Sequence, residues 1–421
     1  MNRPLIIIGG VAVVVIAIVA FVILTGAGTR PAPAVAGAVE IWGFGDNENI
    51  WQDLINRFQA AYPSVSVVYR RFDRSGYEDM LVNRLAEGKG PDVFFLPHTA
   101  IVKHRDKIFP LPKDAGFSAS DFKNTFVDAA ADDLISEQGE ILGMPMFMDT
   151  LALFYNKDIF NAAAIAEPPK TWDSFAALSR LLTVLGPGGD IAQSGAALGA
   201  SKNVRHSFEI LSALMLQKNG IARAVGATSF GTGAAEALAF YASFSDALTQ
   251  NYSWDRNAPD SLDAFAQGDT AMMIGFSEDL ADIRERNPHL NFAVSPLPQN
   301  AGAGASATWG EHFFPAVSRQ SKNQQSAWQF VLFASSRAGV KPYLDAARRP
   351  PARRDIAGAG ASNEDLSVFW RQSLTARSWP VPDDAATRRL FGEAMDAAVS
   401  RSASPAGAVS RLESQLRLLQ P

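Results

Sequence analysis

The first apolar stretch of the chain is continuous rather than periodic. Leu5 to Leu24 carry no charge and are mostly Ile, Val, Ala and Leu. At about 1.5 Å rise per residue, a helix of that length crosses a hydrocarbon core of about 30 Å. A cleaved secretory signal has a shorter apolar region, roughly 7–15 residues, closely followed by small residues. Here the clearest A-x-A triplet, Ala34-Val35-Ala36, lies well past the run. Residues 1–25 are therefore expected to persist as an N-terminal transmembrane helix, a cleaved signal being the alternative, and residues 26–37 read as a Pro- and Ala-rich tether.

From Ala38 the pattern alternates between periods of two and of 3.6. Ala38 to Phe44 reads as a strand, and Asp46 stands where a helix N-cap belongs. Trp51, Leu54, Ile55, Phe58 and Tyr62 then recur at helical spacing until Pro63. Val65 to Phe72 reads as a second strand, Tyr77, Met80, Leu81 and Leu85 as a helical stripe, and Val93 to Leu96 as a third strand. The order βαβαβ implies a parallel sheet whose ligand crevice lies at the carboxyl ends of the strands. The loops Gly43–Asn47 and Leu96–Thr99 sit there. A second series follows: strand Leu151–Tyr155, helices Trp172–Leu182, Phe208–Leu216, Ala234–Leu248 and Leu262–Phe265, and strands Ala271–Gly275 and Phe292–Ser295. Asn300 to Ser306 reads as a flexible surface loop.

Length and composition narrow the class. A chain of 421 residues with 47% hydrophobic side chains exceeds what one core usually holds, so two lobes are expected. The net charge of -5, mixed in sign along the chain, offers no basic stripe for nucleic acid. Cysteine is absent, which removes disulfides, thiolate metal sites and lipid attachment through cysteine. His98, His104, His206, His289 and His312 show no H-E-x-x-H spacing, so neither a metal nor another cofactor is expected. No G-x-S-x-G elbow or G-x-x-x-x-G-K-[ST] loop occurs.

Five separated motifs follow one another along the chain: Ile41–Asp46 (IWGFGD), Gly88–Phe95 (GKGPDVFF), Tyr155–Phe160 with Pro168–Phe175 (YNKDIF, PPKTWDSF), Ala264–Met273 (AFAQGDTAMM) and Ser321–Phe333 (SKNQQSAWQFVLF). In this order, from about Val39 to about Ala398, the chain resembles the family 1 extracellular solute-binding proteins, which include the maltose- and oligosaccharide-binding components of ABC importers. The resemblance implies an α/β protein of two lobes in the type II periplasmic-binding-protein arrangement, each lobe a mostly parallel sheet flanked by helices. It implies three crossings between lobes, near Asp149, Thr308–Phe314 and Pro350–Arg353. Residues 38–148 with 315–350 would form the N-lobe, and residues 149–314 with 351–421 the C-lobe. The expected partners are a small solute, a carbohydrate by preference, held between the lobes, and ABC permease subunits, with the protein acting as a monomer outside the cytoplasm.

Carbohydrate hydroxyls favour charged or amide partners, and the apolar faces of the rings favour aromatic surfaces. The residues at family ligand positions are Asp46, Asn47, His98, Thr99, Asp149, Phe276, Ser277, Trp309 and Glu311. Trp309 is expected to supply the apolar platform and Asp149 a main hydroxyl acceptor. Leu96 and Thr99 stand where the maltose-type pattern carries a tryptophan and an acid, which argues against maltodextrin specificity. Two other readings stay open: a glycosidase using two of Asp46, Asp149 and Glu311, and a ligand-loaded sensor that presents itself to a receptor or kinase.

Overall fold

The computed structural model describes residues 35–224, 227–302, 306–361 and 364–420. The strands of its three principal sheets are, in chain order, β1 (Gly37–Phe44), β2 (Val65–Phe72), β3 (Val93–Pro97), β4 (Asp149–Thr150), β5 (Ala152–Asn156), β6 (Met272–Gly275), β7 (Phe292–Pro296), β8 (Thr308–Glu311), β9 (Phe313–Val317) and β10 (Ala376–Arg377). The first sheet has the order β9-β3-β1-β2, with β1 parallel to both β2 and β3 and β9 antiparallel to β3.

The helix Glu48–Ala61 links β1 to β2 and buries Trp51, Leu54, Ile55 and Phe58 against this sheet. These are the positions that helical spacing marks, and each such side chain contributes about 1.5–3 kcal/mol by leaving water. Its cap is Asn47, whose side chain accepts from the Asn49 amide at 2.9 Å, and not Asp46 as expected. Gly45, at φ +91°, turns the chain one residue earlier and leaves the Asp46 carboxylate free for other work.

In the second sheet β5 lies between β6 and β7 and runs antiparallel to both, so the expectation of a mostly parallel sheet in each lobe fails here. Alternation of strand and helix along a chain sets no strand direction when several helices intervene, as they do between β5 and β6. Side chains of β5 alternate between the two hydrophobic clusters: Ala152 and Phe154 join the one built on Trp51 and Trp328, while Leu153 joins the one built on Trp172, Tyr241 and Trp379. The expected helix Ala234–Leu248 spans only Thr232–Ala242. Asp246 accepts from the Leu248 amide at 3.0 Å, a local turn bond that competes with the helix and leaves Leu248 exposed.

A small sheet of order β10-β8-β4 joins the two parts, with Glu311 paired to Asp149 and Gly310 to Thr150. Beside it the Met148 amide donates to the Pro350 carbonyl at 3.0 Å and Phe147 bridges to Pro351. All three stretches at which a crossing was expected therefore lie side by side. A side chain at Gly310 would press on Met148 Sδ and Ala376 Cβ, each 2.8 Å from an added Cβ, so close packing here requires glycine. The segment after Pro351 first stays with the first part, since Val127 donates to the Ala352 carbonyl and Arg354 Nε to the Phe126 carbonyl. This departs from its expected assignment to the C-lobe from residue 351.

Among the described residues no helix is long and apolar enough to cross a membrane. The stretch Leu5–Leu24 and the tether up to Ala34 lie outside the described residues, as do residues 303–305 of the expected Asn300–Ser306 loop.

Candidate functional site

The carboxyl end of β1, the short strand β4 and the turn after β6 converge on one guanidinium. Arg349 Nη1 lies 2.9 Å from Glu278 Oε2 and 3.5 Å from Asp149 Oδ2, and its Nε lies 3.9 Å from Asp46 Oδ1. Its Cζ sits 4.9 Å from the centre of the Phe147 ring. The Tyr343 hydroxyl donates to the other oxygen of Asp46. Three carboxylates from three distant segments thus share one largely buried cation.

Asp149 is the best satisfied of these acids. Its Oδ1 accepts from the Thr150 amide at 2.8 Å and the Ser277 amide at 3.1 Å, and its Oδ2 from the Ser277 hydroxyl at 2.6 Å. Burial nevertheless dominates and lifts its pKa to about 6, against the opposing pull of Arg349 and Ser277. The Ser277 turn is itself braced: Asp279 Oδ2 accepts from the Phe276 amide at 2.8 Å and lies 2.9 Å from His206 Nε2, while Arg205 reaches Asp279 Oδ1 at 2.9 Å.

Burial opposes charge on His206, but Asp279, through charge and hydrogen bond, together with the charges of Glu209 and Glu278 outweighs it and raises its pKa from 6.5 to about 9. Raised above the unfolded value, this group contributes stability fully present below about pH 6.5 and lost as pH rises through 9. Urea midpoints of the wild type should therefore decline over that window relative to His206→Gln. Parallel curves for the two proteins would contradict the assignment.

A second group sits beside the first. The Arg74 guanidinium, on a side chain 55% exposed, lies 4.8 Å from the Phe313 ring centre and 6.0 Å from that of Phe44, and pairs with Glu311 at 3.3 Å. Phe313 lies 5.0 Å from Phe44 and 5.6 Å from Phe147, centre to centre. These rings connect the Arg349 group to the Arg74 group.

The structure brings Asp46, Asp149 and Ser277 together and sets Glu311 nearby. It sends the other expected residues elsewhere. Asn47 caps a helix. Thr99 is buried in the turn after β3, and Phe276 packs edge-on against His206 at 4.7 Å. Trp309 is 0% exposed, wedged between His98 and Phe208 with both ring centres at 5.5 Å, so in this conformation it offers no face to a solute. His98 is buried with His312 beside Asp133, and these three are the residues whose atoms could together hold a metal ion among those described. Sequence reasoning missed Arg349, Tyr343, Glu278, Arg74, Phe313 and Phe147. For Arg349 and Phe313 there was a signal, their places immediately before Pro350 and within Thr308–Phe314 at expected crossings; for Arg74 there was none.

Comparison with known proteins gives this geometry its context. Residues 53–367 match the model of a family described as bacterial extracellular solute-binding protein. A binding protein of Brucella abortus (strain 2308) is 24% identical over 335 residues, 79% of this chain and 80% of its own length. The sn-glycerol-3-phosphate-binding periplasmic protein of Shigella dysenteriae is 28% identical over 281 residues, 61% of each chain. Among solved structures, the sugar-binding protein MalE from Xanthomonas citri superposes with a TM-score of 0.77 at 19% identity, covering 91% of this chain and 97% of that one. With three quarters of its length inside the family match, the chain belongs to the bacterial extracellular solute-binding proteins.

Proposed function

We propose that the protein binds a small hydroxyl-rich solute, a mono- or oligosaccharide, between two lobes that close around it, and passes it unchanged to an ABC permease. The observation that carries this reading is the convergence of Asp46, Asp149, Ser277, Glu278 and Arg349 beside the joining sheet, next to the rings of Phe44, Phe147 and Phe313. Charged acceptors and donors beside aromatic faces are what a carbohydrate requires. The lobes meet at the strands β4 and β8 and at Pro350–Pro351, and the first 25 residues hold the protein at the outer face of the membrane. Relatives whose names give a sugar or a glycerol phosphate as ligand support a polyol class without choosing its member. Residues from both lobes are satisfied together only when closed, so the solute shifts the open–closed balance by its differential affinity.

In this account Phe313, rather than Trp309, is the stacking platform, and the exposed Arg74 covers its face until a solute ring replaces it. Phe313→Ala should weaken binding about tenfold or more, from lost area plus about 0.5–1.5 kcal/mol of ring-specific attraction. Thermal-shift screening of mono- and oligosaccharides, glycerophosphodiesters, polyamines and amino acids, followed by calorimetry, tests the proposal. A hit among the polyols that is recovered intact after long incubation is expected. Stabilisation by amino acids alone, or cleavage of a glycan, would overturn the solute class or the binding role.

A further inference from the structure

We propose that His98, Asp133 and His312 form a site for one divalent transition cation of the zinc class, which staples the joining sheet to the first lobe. The proposal is independent of the solute. Its residues come from three places that only the fold unites: His98 from the turn after β3, Asp133 from the helix Asp128–Leu134, and His312 from the single residue between β8 and β9. The His98 amide donates to the His312 carbonyl at 3.0 Å, which fixes the two backbones side by side.

His98 Nδ1 and His312 Nε2 each lie 3.2 Å from the same oxygen of Asp133, and the three potential ligand atoms all fall within 4.8 Å of one another. The side chains are 1%, 5% and 0% exposed, in the order His98, Asp133, His312. In so dry a place, hydrogen bonds to a carboxylate should be at their shortest, about 2.7–2.9 Å. Two equal separations of 3.2 Å to one oxygen are long for that purpose. Along these two of the three edges the separations are close to the spacing of about 3.3–3.5 Å between donor atoms that bonds of about 2.0–2.2 Å impose around a tetrahedral zinc ion, and the third edge, between the two ring nitrogens, lies within 4.8 Å.

The surroundings agree in orientation. The Ser378 hydroxyl lies 2.7 and 2.8 Å from the two oxygens of Asp133 and orients the carboxylate, as partners of metal ligands do. The opposing feature is that His98 Nε2 and His312 Nδ1 have no hydrogen-bond partner among the described residues, where a metal ligand usually donates its second ring N–H. The cation must therefore gain more from three enclosed ligands than the two rings lose. Two imidazoles, one carboxylate and no thiolate suit zinc, nickel or cobalt rather than copper(I) or calcium.

The test is elemental mass spectrometry on protein purified without a metal-affinity tag, then stripped with chelator and titrated with Zn2+ or Co2+, with unfolding and refolding in the presence of metal as a second arm. About one equivalent should survive gel filtration, with a raised melting temperature and, for cobalt, the visible absorption of a low-coordinate site. Ser378→Ala leaves all three ligands in place and should weaken Zn2+ binding by about 10–100-fold. His98→Asn with His312→Asn, checked for folding by circular dichroism, should abolish it. Wild-type protein that retains no metal in either arm overturns the site. So does uptake by the double variant equal to that of the wild type.

Discussion

Replacing Arg349 by methionine is expected to destabilise the protein by about 3–5 kcal/mol at pH 7.5, the range for removing one partner of a buried ion pair. The low end applies, because Glu278 is 42% exposed and water can reach its carboxylate once the arginine is gone. Asp149 has no such escape: its side chain is 3% exposed, and the cation that opposes its burial is the one removed. Taking up a proton is its alternative, and since its pKa is already about 6 with the arginine present, the substitution pushes it higher. The deficit should therefore shrink between pH 7.5 and pH 5. Urea denaturation of both proteins at the two pH values measures it. A loss below about 1 kcal/mol, or one that grows on acidification, would show that Arg349 is a surface residue with incidental partners.

The second large effect belongs to Trp309. Trp309→Ala should cost about 3–5 kcal/mol of stability in the solute-free protein, because a fully buried indole leaves a cavity between Phe208 and His98 that the joining sheet cannot close. Solute affinity, measured where the variant remains folded, should change far less than in Phe313→Ala. Intact stability with tenfold weaker binding would restore Trp309 to the platform role that its sequence neighbours, Thr308, Gly310 and Glu311, suggest.

What the sequence could convey follows from the range of the forces involved. The helix Glu48–Ala61 and strands β1 to β3 were legible because period and capping are local, and the miss at Asp46 was a single residue, caused by the turn at Gly45. The antiparallel second sheet was not legible, since nothing near β6 records which end of β5 it will meet. The same limit applies to the site. Asp46, Asp149, Ser277 and Glu311 were expected from motif register, and the fold sets them near one another, whereas Arg74 and Phe313 are separated by more than half the chain and meet only in the fold. Trp309 misled because a short polar neighbourhood in sequence says nothing of Phe208, which approaches from the helix Ser207–Gln217. His98, Asp133 and His312 were scattered beyond any spacing rule, so the absence of a metal motif carried no information about their meeting.

The central claim is that solute is held by both sides of the junction at once. Hydrogen–deuterium exchange with and without the best hit of the screen tests it most directly. The account predicts slower exchange together in the loop after β1 around Gly45–Asn49, in the segment around Arg74–Tyr77, and in the turn Phe276–Asp279. Protection confined to one side of the joining sheet, or appearing only at a distant surface, would contradict it.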